Sequence, residues 1–135
     1  MILTPEQFKT AEKIFNDVKG MFIYESDEKQ FGMEDIWPTT AQLDEELKAG
    51  QIIGDCDDFA SACHLLLSRA GIPSRLVICL TEDGGGHMVC EAGGWILDNR
   101  QDAMVLMAEV PYVWIAATKY DDDKKWYHFP ANLVV

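Results

Sequence analysis

The chain has 135 residues, 48 % of them hydrophobic, which is enough for one domain with a substantial core. Its formal net charge of −12 at pH 7 argues against a nucleic-acid-binding protein and against docking on anionic lipid, because both need clustered Lys and Arg side chains. No stretch approaches the roughly 18 apolar residues of a membrane span, and no repeat or linker divides the chain, so we expect a single domain over residues 1–135.

The first half of the chain predicts three helices. Thr4 is a helix N-cap followed by proline at the first helical position, and apolar residues at helical spacing continue to Gly20. A second, short helix begins after Thr39 or Thr40, either of which can cap it, and ends at Gly50.

The third predicted helix lies within the segment GDCDDFASACHLLLSRAGIPSRL, residues 54–76. Its apolar residues form one stripe at i, i+3 and i+4 spacing: Phe59, Ala60, Cys63, Leu66, Leu67 and Ala70. Gly71 ends the helix and Pro73 follows it. Cys56 falls on the same stripe in the first turn, so we expect it on the buried side of the helix start.

The second half of the chain predicts strands. SRLVICL is a β run, and GGGHMVCE and GWILDN flank an Ala-Gly-Gly turn that predicts a hairpin. YVWIAATKY and KWYHF, separated by residues 121–124, predict a second hairpin. Helices followed by an antiparallel sheet indicate an α+β fold.

The four cysteines divide into two groups. None belongs to a C-x-x-C pair, which argues against a structural zinc site, and nothing in the sequence indicates disulfides. Cys63, Cys79 and Cys90 lie in apolar runs, and we expect them to be buried as small hydrophobic residues. Cys56 differs because its neighbours are acids, which makes it the candidate for chemistry.

The first hairpin aligns a histidine with a carboxylate. If residues 92–93 form a two-residue loop, His87 lies directly opposite Asp98. If residues 93–94 form the loop, Asp98 pairs with Val89 and is the diagonal neighbour of His87. Both registers put the two side chains on the same face of the sheet, because strand side chains alternate with period two.

Together these residues suggest a Cys–His–Asp triad. If the helix stripe packs on the sheet face that carries His87, the helix start brings Cys56 to His87. The imidazole then takes the thiol proton or pairs with the thiolate, and Asp98 orients the imidazole. The positive N-terminal end of the helix also favours the thiolate. Each residue has a structural interpretation as well: an incidental cysteine, a histidine at a turn end and an acid that terminates a strand.

The two remaining histidines are weaker candidates. His64 lies off the apolar stripe of the third helix, so we expect it to be solvated. His128 lies in the last predicted strand, and we expect it to be a packing or surface residue.

Four motifs, in this order and at this spacing, closely resemble one protein family. GDCDDFA, GIPSRL, HMV and LDN are similar to the bacterial transglutaminase-like cysteine peptidases of the papain-like and transglutaminase-like superfamily, and the likeness covers roughly residues 16–129. The resemblance implies a papain-like/transglutaminase-like core, with the nucleophile-bearing helix packed on an antiparallel sheet. It also implies Cys56 as nucleophile, His87 as general base and Asp98 as the residue that orients His87.

The acids beside Cys56 have two interpretations. Asp55 can be the helix N-cap, with Asp57 and Asp58 as partly solvated first-turn acids that complement the helix dipole. Alternatively, carboxylate oxygens of Asp55 and Asp57 hold a calcium ion, which cancels their repulsion of a thiolate. The family resemblance points to the same two positions, because some relatives bind calcium through the acids that flank the nucleophile. The chemistry itself requires no cofactor.

An acyl-transfer site also needs donors for an oxyanion. The backbone N–H of Cys56, at the helix start, is the first candidate. Trp37, from the segment before the second helix, is the second candidate for the oxyanion or substrate cleft, and its alternative interpretation is a packing aromatic residue.

The sequence therefore indicates a thiol-dependent acyl-transfer enzyme, first of all a cysteine peptidase with a protein or peptide substrate. The same triad serves amine transfer by a transglutaminase and hydrolysis by a peptidoglycan-type amidase, and a catalytically silent binding module can keep the same fold. The N-terminus has no basic stretch and no long apolar run, so no signal peptide is visible. We therefore expect a cytoplasmic or phage-encoded intracellular protein rather than a periplasmic one.

Overall fold

The computed structural model describes residues 1–25 and 38–130. Within these ranges the helices are α1 (Pro5–Met21), α2 (Thr40–Ala49) and α3 (Cys56–Arg69), and none of them is long and apolar enough to cross a membrane. The strands are β1 (Phe22–Tyr24), β2 (Ile52–Gly54), β3 (Arg75–Leu80), β4 (Gly86–Ala92), β5 (Trp95–Leu97), β6 (Val105–Leu106), β7 (Val113–Lys119) and β8 (Asp122–His128). A short 3-10 helix, Met107–Glu109, follows β6. The predicted α+β class is confirmed.

Capping side chains fix where the first two helices begin. Thr4 and Thr39 each accept a hydrogen bond from the backbone N–H three residues later, and the side chains of Gln7 and Gln42 accept from the N–H groups of the two caps. These reciprocal bonds satisfy donors that the first turn of a helix leaves unpaired. Both predicted helices are confirmed, and Thr39 rather than Thr40 caps α2.

Six strands form one antiparallel sheet in the order β6-β5-β4-β3-β7-β8. Gly93 and Gly94 join β4 to β5, with φ values of 59° and 89°. A tight two-residue hairpin turn needs positive φ at its central residues, which glycine adopts without steric cost. Ala92 and Trp95 close the hairpin as the last pair of the ladder.

This turn selects the second of the two registers that the sequence allows. Cys90 pairs with Leu97 in the hairpin. Continuing the ladder by one residue on each strand places Asp98 opposite Val89, so Asp98 is the diagonal neighbour of His87 on the same sheet face.

Three features of the β structure differ from the sequence prediction, and the first is β6, where the sequence predicts no strand. β8 begins at Asp122, so the second hairpin turns at residues 120–121 rather than across residues 121–124. β8 is an exposed edge strand, and charged residues at such an edge hide the period-two pattern. The sequence also missed the parallel pair of β1 with β2, because three residues are too few to show a period.

The main core lies between the helices and one face of the sheet. Phe59 of α3 is 1 % exposed and meets the rings of Phe15 and Phe22 edge-on, at centroid distances of 5.9 and 5.2 Å. Other core members from α3 and the sheet are Ala60, Cys63, Leu67, Leu76, Met88, Cys90 and Leu97. Four residues of the stripe predicted for the third helix are therefore buried, whereas Leu66 is partly buried and Ala70 is exposed just past the helix end.

The opposite sheet face carries a second, smaller core. Its members are Val77, Cys79, Val89, Ile96, Met107, Tyr112, Trp114 and Ala117. Met107 and Tyr112 come from the segment between β6 and β7, which covers this face. Cys63, Cys79 and Cys90 are fully buried in the two cores, as predicted.

The start of α3 is fixed by two acids. Asp55 is the N-cap: its carboxylate accepts the N–H of Asp57 at 3.0 Å, and the carboxylate of Asp58 accepts the N–H of Asp55 at 3.0 Å. The Asp58 carboxylate lies against Gly54, where an added Cβ would be 2.0 Å from Asp58 Oδ2. Residue 54 must therefore lack a side chain for Asp58 to complete the capping box.

Gly54→Ala is expected to destabilise the protein by about 1 kcal/mol or more, because its methyl group displaces Asp58 from the Asp55 N–H. Urea denaturation followed by circular dichroism measures the change. Gly20→Ala is the matched control, since a Cβ at this position in α1 meets no atom within 4 Å and alanine favours a helix. Equal stability of the two variants would contradict this role of Asp58.

Candidate active site

His87 and Asp98 form a buried pair. His87 Nε2 lies 2.7 Å from Asp98 Oδ1, and the two residues are 8 % and 0 % exposed. Because a carboxylate only accepts hydrogen bonds, Nε2 carries the ring proton and Nδ1 is the nitrogen that can take another. Burial raises the pKa of Asp98, but the hydrogen bond and charge of His87, together with hydrogen bonds from Arg100 and Tyr112, bring the pKa below its ordinary value.

Asp98 has two further partners that sequence reasoning missed. The hydroxyl of Tyr112 donates to Oδ2 at 2.7 Å, and the backbone N–H of Arg100 donates to Oδ1 at 3.0 Å. The sequence predicts Tyr112 only as the first residue of a strand. Nothing local in the sequence relates Tyr112 to Asp98, since the contact spans 14 residues and depends on the path from β5 to β7.

Cys56 is the first residue of α3, and its thiol lies against the start of β4. The backbone N–H of Met88, the residue after His87, lies close enough to the sulfur to favour its thiolate, and the thiol itself donates to Asp57 Oδ1 at 3.6 Å. Burial raises the pKa of the Cys56 thiol, the carboxylates of Asp57 and Asp55 raise it further, and the Met88 N–H lowers it in part. The contacts of the described residues thus favour the protonated thiol.

The shortness of β5 explains how the thiol reaches β4. In an antiparallel hairpin closed by Ala92 and Trp95, alternate residues of β4 direct their N–H groups toward β5. The ladder ends at the pair of Cys90 with Leu97, so the N–H of Met88 lies just beyond the end of β5. The thiol of Cys56 takes the place that a longer β5 would fill.

The condition under which the sequence argument brings Cys56 over His87 is not met. The stripe of α3 packs on the sheet face that carries Met88 and Cys90, whereas the ring of His87 lies on the other face, 5.7 Å from the ring of Tyr112. Cys56 comes to β4 at the strand edge rather than over the face of His87. The structure therefore brings His87 and Asp98 into direct contact and Cys56 to the neighbouring backbone position.

Asp55, Cys56 and Asp57 form a compact cluster. One oxygen or sulfur atom from each lies within 4.8 Å of the others. Asp57 and Asp58 are each 7 % exposed, so the expectation that they are partly solvated is wrong, while Asp55 is the N-cap as expected. Carboxylate oxygens suit a hard cation such as calcium and a thiol does not, so Asp55 and Asp57 fit such an ion as two of its ligands.

His64 is expected from the sequence to be solvated, but the structure buries most of its side chain. Its side chain is 13 % exposed, with Nδ1 2.7 Å from Ser74 Oγ and Nε2 3.5 Å from Asp123 Oδ2. His64 lines a cavity of about 600 Å³ between α2, α3 and β8, and none of Cys56, His87 and Asp98 borders it. His64 faces β8, a direction that the apolar stripe alone does not reveal.

The other two residues discussed from sequence add nothing to this geometry. His128 lies exposed on β8, in agreement with a surface residue. Trp37, the candidate for the oxyanion or substrate cleft, lies outside the described residues.

Comparisons with known structures identify the fold. The chain is similar to Legionella pneumophila LapG, with a TM-score of 0.68 and 22 % identity over 84 % of this chain and 65 % of that one. The EGTA-treated form of LapG gives the same TM-score and identity over 63 % of its length. The calcium-bound form gives a TM-score of 0.71 and 19 % identity over 99 % of this chain and 77 % of that one. The chain thus spans less than two thirds of the first two structures and shares their papain-like/transglutaminase-like fold.

Sequence comparison identifies the family. No curated protein matches the chain. The model of the family described as bacterial transglutaminase-like cysteine proteinase (BTLCP) matches residues 1–132, almost the whole sequence. The resemblance found in the four motifs is confirmed, and this chain belongs to the bacterial transglutaminase-like cysteine proteinase family.

Proposed function

We propose that this chain is a cysteine peptidase that cleaves an amide bond in a protein or peptide substrate, with Cys56, His87 and Asp98 as its catalytic triad. The buried hydrogen bond of 2.7 Å between His87 and Asp98, beside the helix start that carries Cys56, is the observation that carries the proposal. An imidazole fixed through one nitrogen to a carboxylate keeps its other nitrogen available as a base. Membership of a cysteine proteinase family supports the same assignment.

The proposed reaction has two halves. The thiol proton of Cys56 moves to Nδ1 of His87, and the thiolate attacks the carbonyl carbon, whose oxygen takes the displaced electron pair. The carbon–nitrogen bond then breaks, and the leaving amine takes the proton from His87. Water next gives a proton to His87 and attacks the thioester, which releases the acid and returns the proton to the sulfur.

Two features of the described residues support these steps. The carboxylate of Asp98 stabilises the imidazolium that forms when His87 takes a proton. The capping bonds of α3 use the N–H groups of Asp55 and Asp57, so they leave the N–H of Cys56 for the oxyanion, at the positive end of the helix. Trp37 stays a candidate for the second oxyanion donor on sequence grounds alone.

Cys56→Ala is expected to lower hydrolysis of fluorescently labelled casein by roughly 10³-fold or more, because the nucleophile is lost. The wild-type thiol is expected to react with iodoacetamide near neutral pH, and His87→Gln should slow this labelling. His128→Gln is the matched control, because His128 is exposed on β8. Full hydrolysis by Cys56→Ala, or equal labelling rates in wild type and His87→Gln, would rule out the proposed triad.

We further propose that Asp55 and Asp57 contribute ligands to a calcium ion. Their carboxylates lie together beside the Cys56 thiol, and the similar LapG was solved in calcium-bound and EGTA-treated forms. A bound calcium ion would supply a positive charge that offsets the repulsion between these carboxylates and a thiolate at Cys56.

Calcium added to EGTA-treated protein is expected to raise Tm by about 5 °C or more at 100 times Kd, because only the folded chain presents the site. Asp55→Asn and Asp57→Asn should reduce this rise, and asparagine at residue 55 keeps the helix cap while removing the charge. Asp17→Asn, on the exposed side of α1, is the control that should keep it. Scanning calorimetry measures all four proteins, and a wild-type Tm indifferent to calcium would refute this site.

A further inference from the structure

Tyr112 contacts both His87, proposed as the general base, and Asp98, the carboxylate that orients it. It is 7 % exposed and is placed by the segment that leads into β7. Its hydroxyl donates to Asp98 Oδ2 at 2.7 Å, and its ring meets the ring of His87 edge-on at 5.7 Å.

The hydrogen bonds of this hydroxyl leave its proton one destination. A tyrosine hydroxyl has one proton and two lone pairs. Arg100 Nη1 and Gln101 Nε2 both donate to the oxygen, at 3.2 and 3.3 Å, so the proton points to Asp98. Burial, together with the hydrogen bond to Asp98, raises the pKa of Tyr112 to about 12, which keeps the donor protonated at neutral pH.

Arg100, which donates to the Tyr112 hydroxyl, is itself held in place by Glu82. Arg100 Nη2 bonds Glu82 Oε1 at 2.6 Å, and the guanidinium lies over the ring of Tyr112 with its carbon 5.6 Å from the ring centroid. The ring of Trp114 meets Tyr112 from another side at 5.7 Å. Tyr112 is therefore held by contacts independent of Asp98, as a residue that positions another group must be.

From this network we infer that Tyr112 is a positioning residue for the proposed reaction, holding Asp98 Oδ2 so that Oδ1 stays on Nε2 of His87. A carboxylate held at one oxygen can rotate about its terminal torsion, which has a broad energy well. With both oxygens bonded, the carboxylate cannot rotate without breaking a hydrogen bond. Its plane therefore stays fixed, and so does the orientation of the imidazole bonded to it. This inference rests on the proposed function, because it assigns Tyr112 a part in the same site.

Tyr112→Phe removes the hydroxyl and keeps the ring. The loss of one hydrogen bond to a charged group predicts a fall in kcat for labelled casein of about 10- to 100-fold, with KM changed by less than about twofold. Tyr120→Phe is the matched control, because the hydroxyl of Tyr120 also donates to a buried carboxylate of the same sheet, Glu91. Its kcat should stay near the wild-type value.

Proton NMR of ¹⁵N-histidine-labelled protein supplies a readout that a loss of stability does not move. The Nε2 proton of His87, bonded to a buried carboxylate, is expected far downfield and is assigned by its absence in His87→Gln. In Tyr112→Phe this resonance should broaden through exchange with water or disappear, and in Tyr120→Phe it should persist. An unchanged resonance in Tyr112→Phe, or a kcat equal to that of Tyr120→Phe, overturns the inference.

Arg100→Ala is a second test in case Tyr112→Phe does not fold. The substitution removes one donor to the Tyr112 hydroxyl and keeps the backbone N–H of residue 100 that bonds Asp98. We expect the same changes at smaller size, about 3- to 10-fold in kcat, and unchanged kcat and resonance overturn the inference. If wild-type hydrolysis does not depend on Cys56, the proposed function fails, and the resonance still decides whether Tyr112 holds Asp98.

Discussion

The hydrogen bond between His87 and Asp98 places the strictest demand on this structure, because it requires a carboxylate with no exposed surface. An ionised carboxylate in such a place costs several kcal/mol unless donors surround it. Its donors come from β4, from the turn after β5 and from the segment before β7. The register of one hairpin and the path to the next strand are therefore both conditions for a charged Asp98. A slip of one residue between β4 and β5 would turn Asp98 to the opposite face, away from His87.

The start of α3 has to satisfy two opposed requirements. The helix needs acids there, because Asp55 and Asp58 complete the capping box and negative charge suits the positive end of the dipole. A thiolate at Cys56 instead needs positive charge nearby, because burial and the carboxylate of Asp57 raise the pKa of the thiol. Helix position alone therefore does not ionise this cysteine. Ionisation at neutral pH depends on positive charge brought by other groups, which is the part we propose for the imidazolium of His87 and for calcium.

The elements that depend on local sequence signals could be predicted from the sequence. Caps and glycines marked the helices, the change from helical to alternating period marked the α+β order, and the parity of the first hairpin put His87 and Asp98 on one face. Contacts that depend on the path of distant segments could not be predicted, such as the hydrogen bond of Tyr112 to Asp98 or that of His64 to Ser74. The sequence also left open which sheet face α3 packs on, because the apolar run of β3 covers both faces of that strand.

Because α3 packs on the sheet face away from His87, its stripe and the imidazole occupy opposite faces of β4. A helix laid over His87 would put apolar side chains on the face where the imidazole meets Asp98 and Tyr112. Here the helix buries its stripe against Met88 and Cys90, and only its first residue reaches the edge of β4. That edge is open because β5 stops at Leu97, the residue before Asp98. Because β5 ends at Leu97, Asp98 can turn to His87. For the same reason the N–H of Met88 has no partner in β5 and faces the thiol of Cys56.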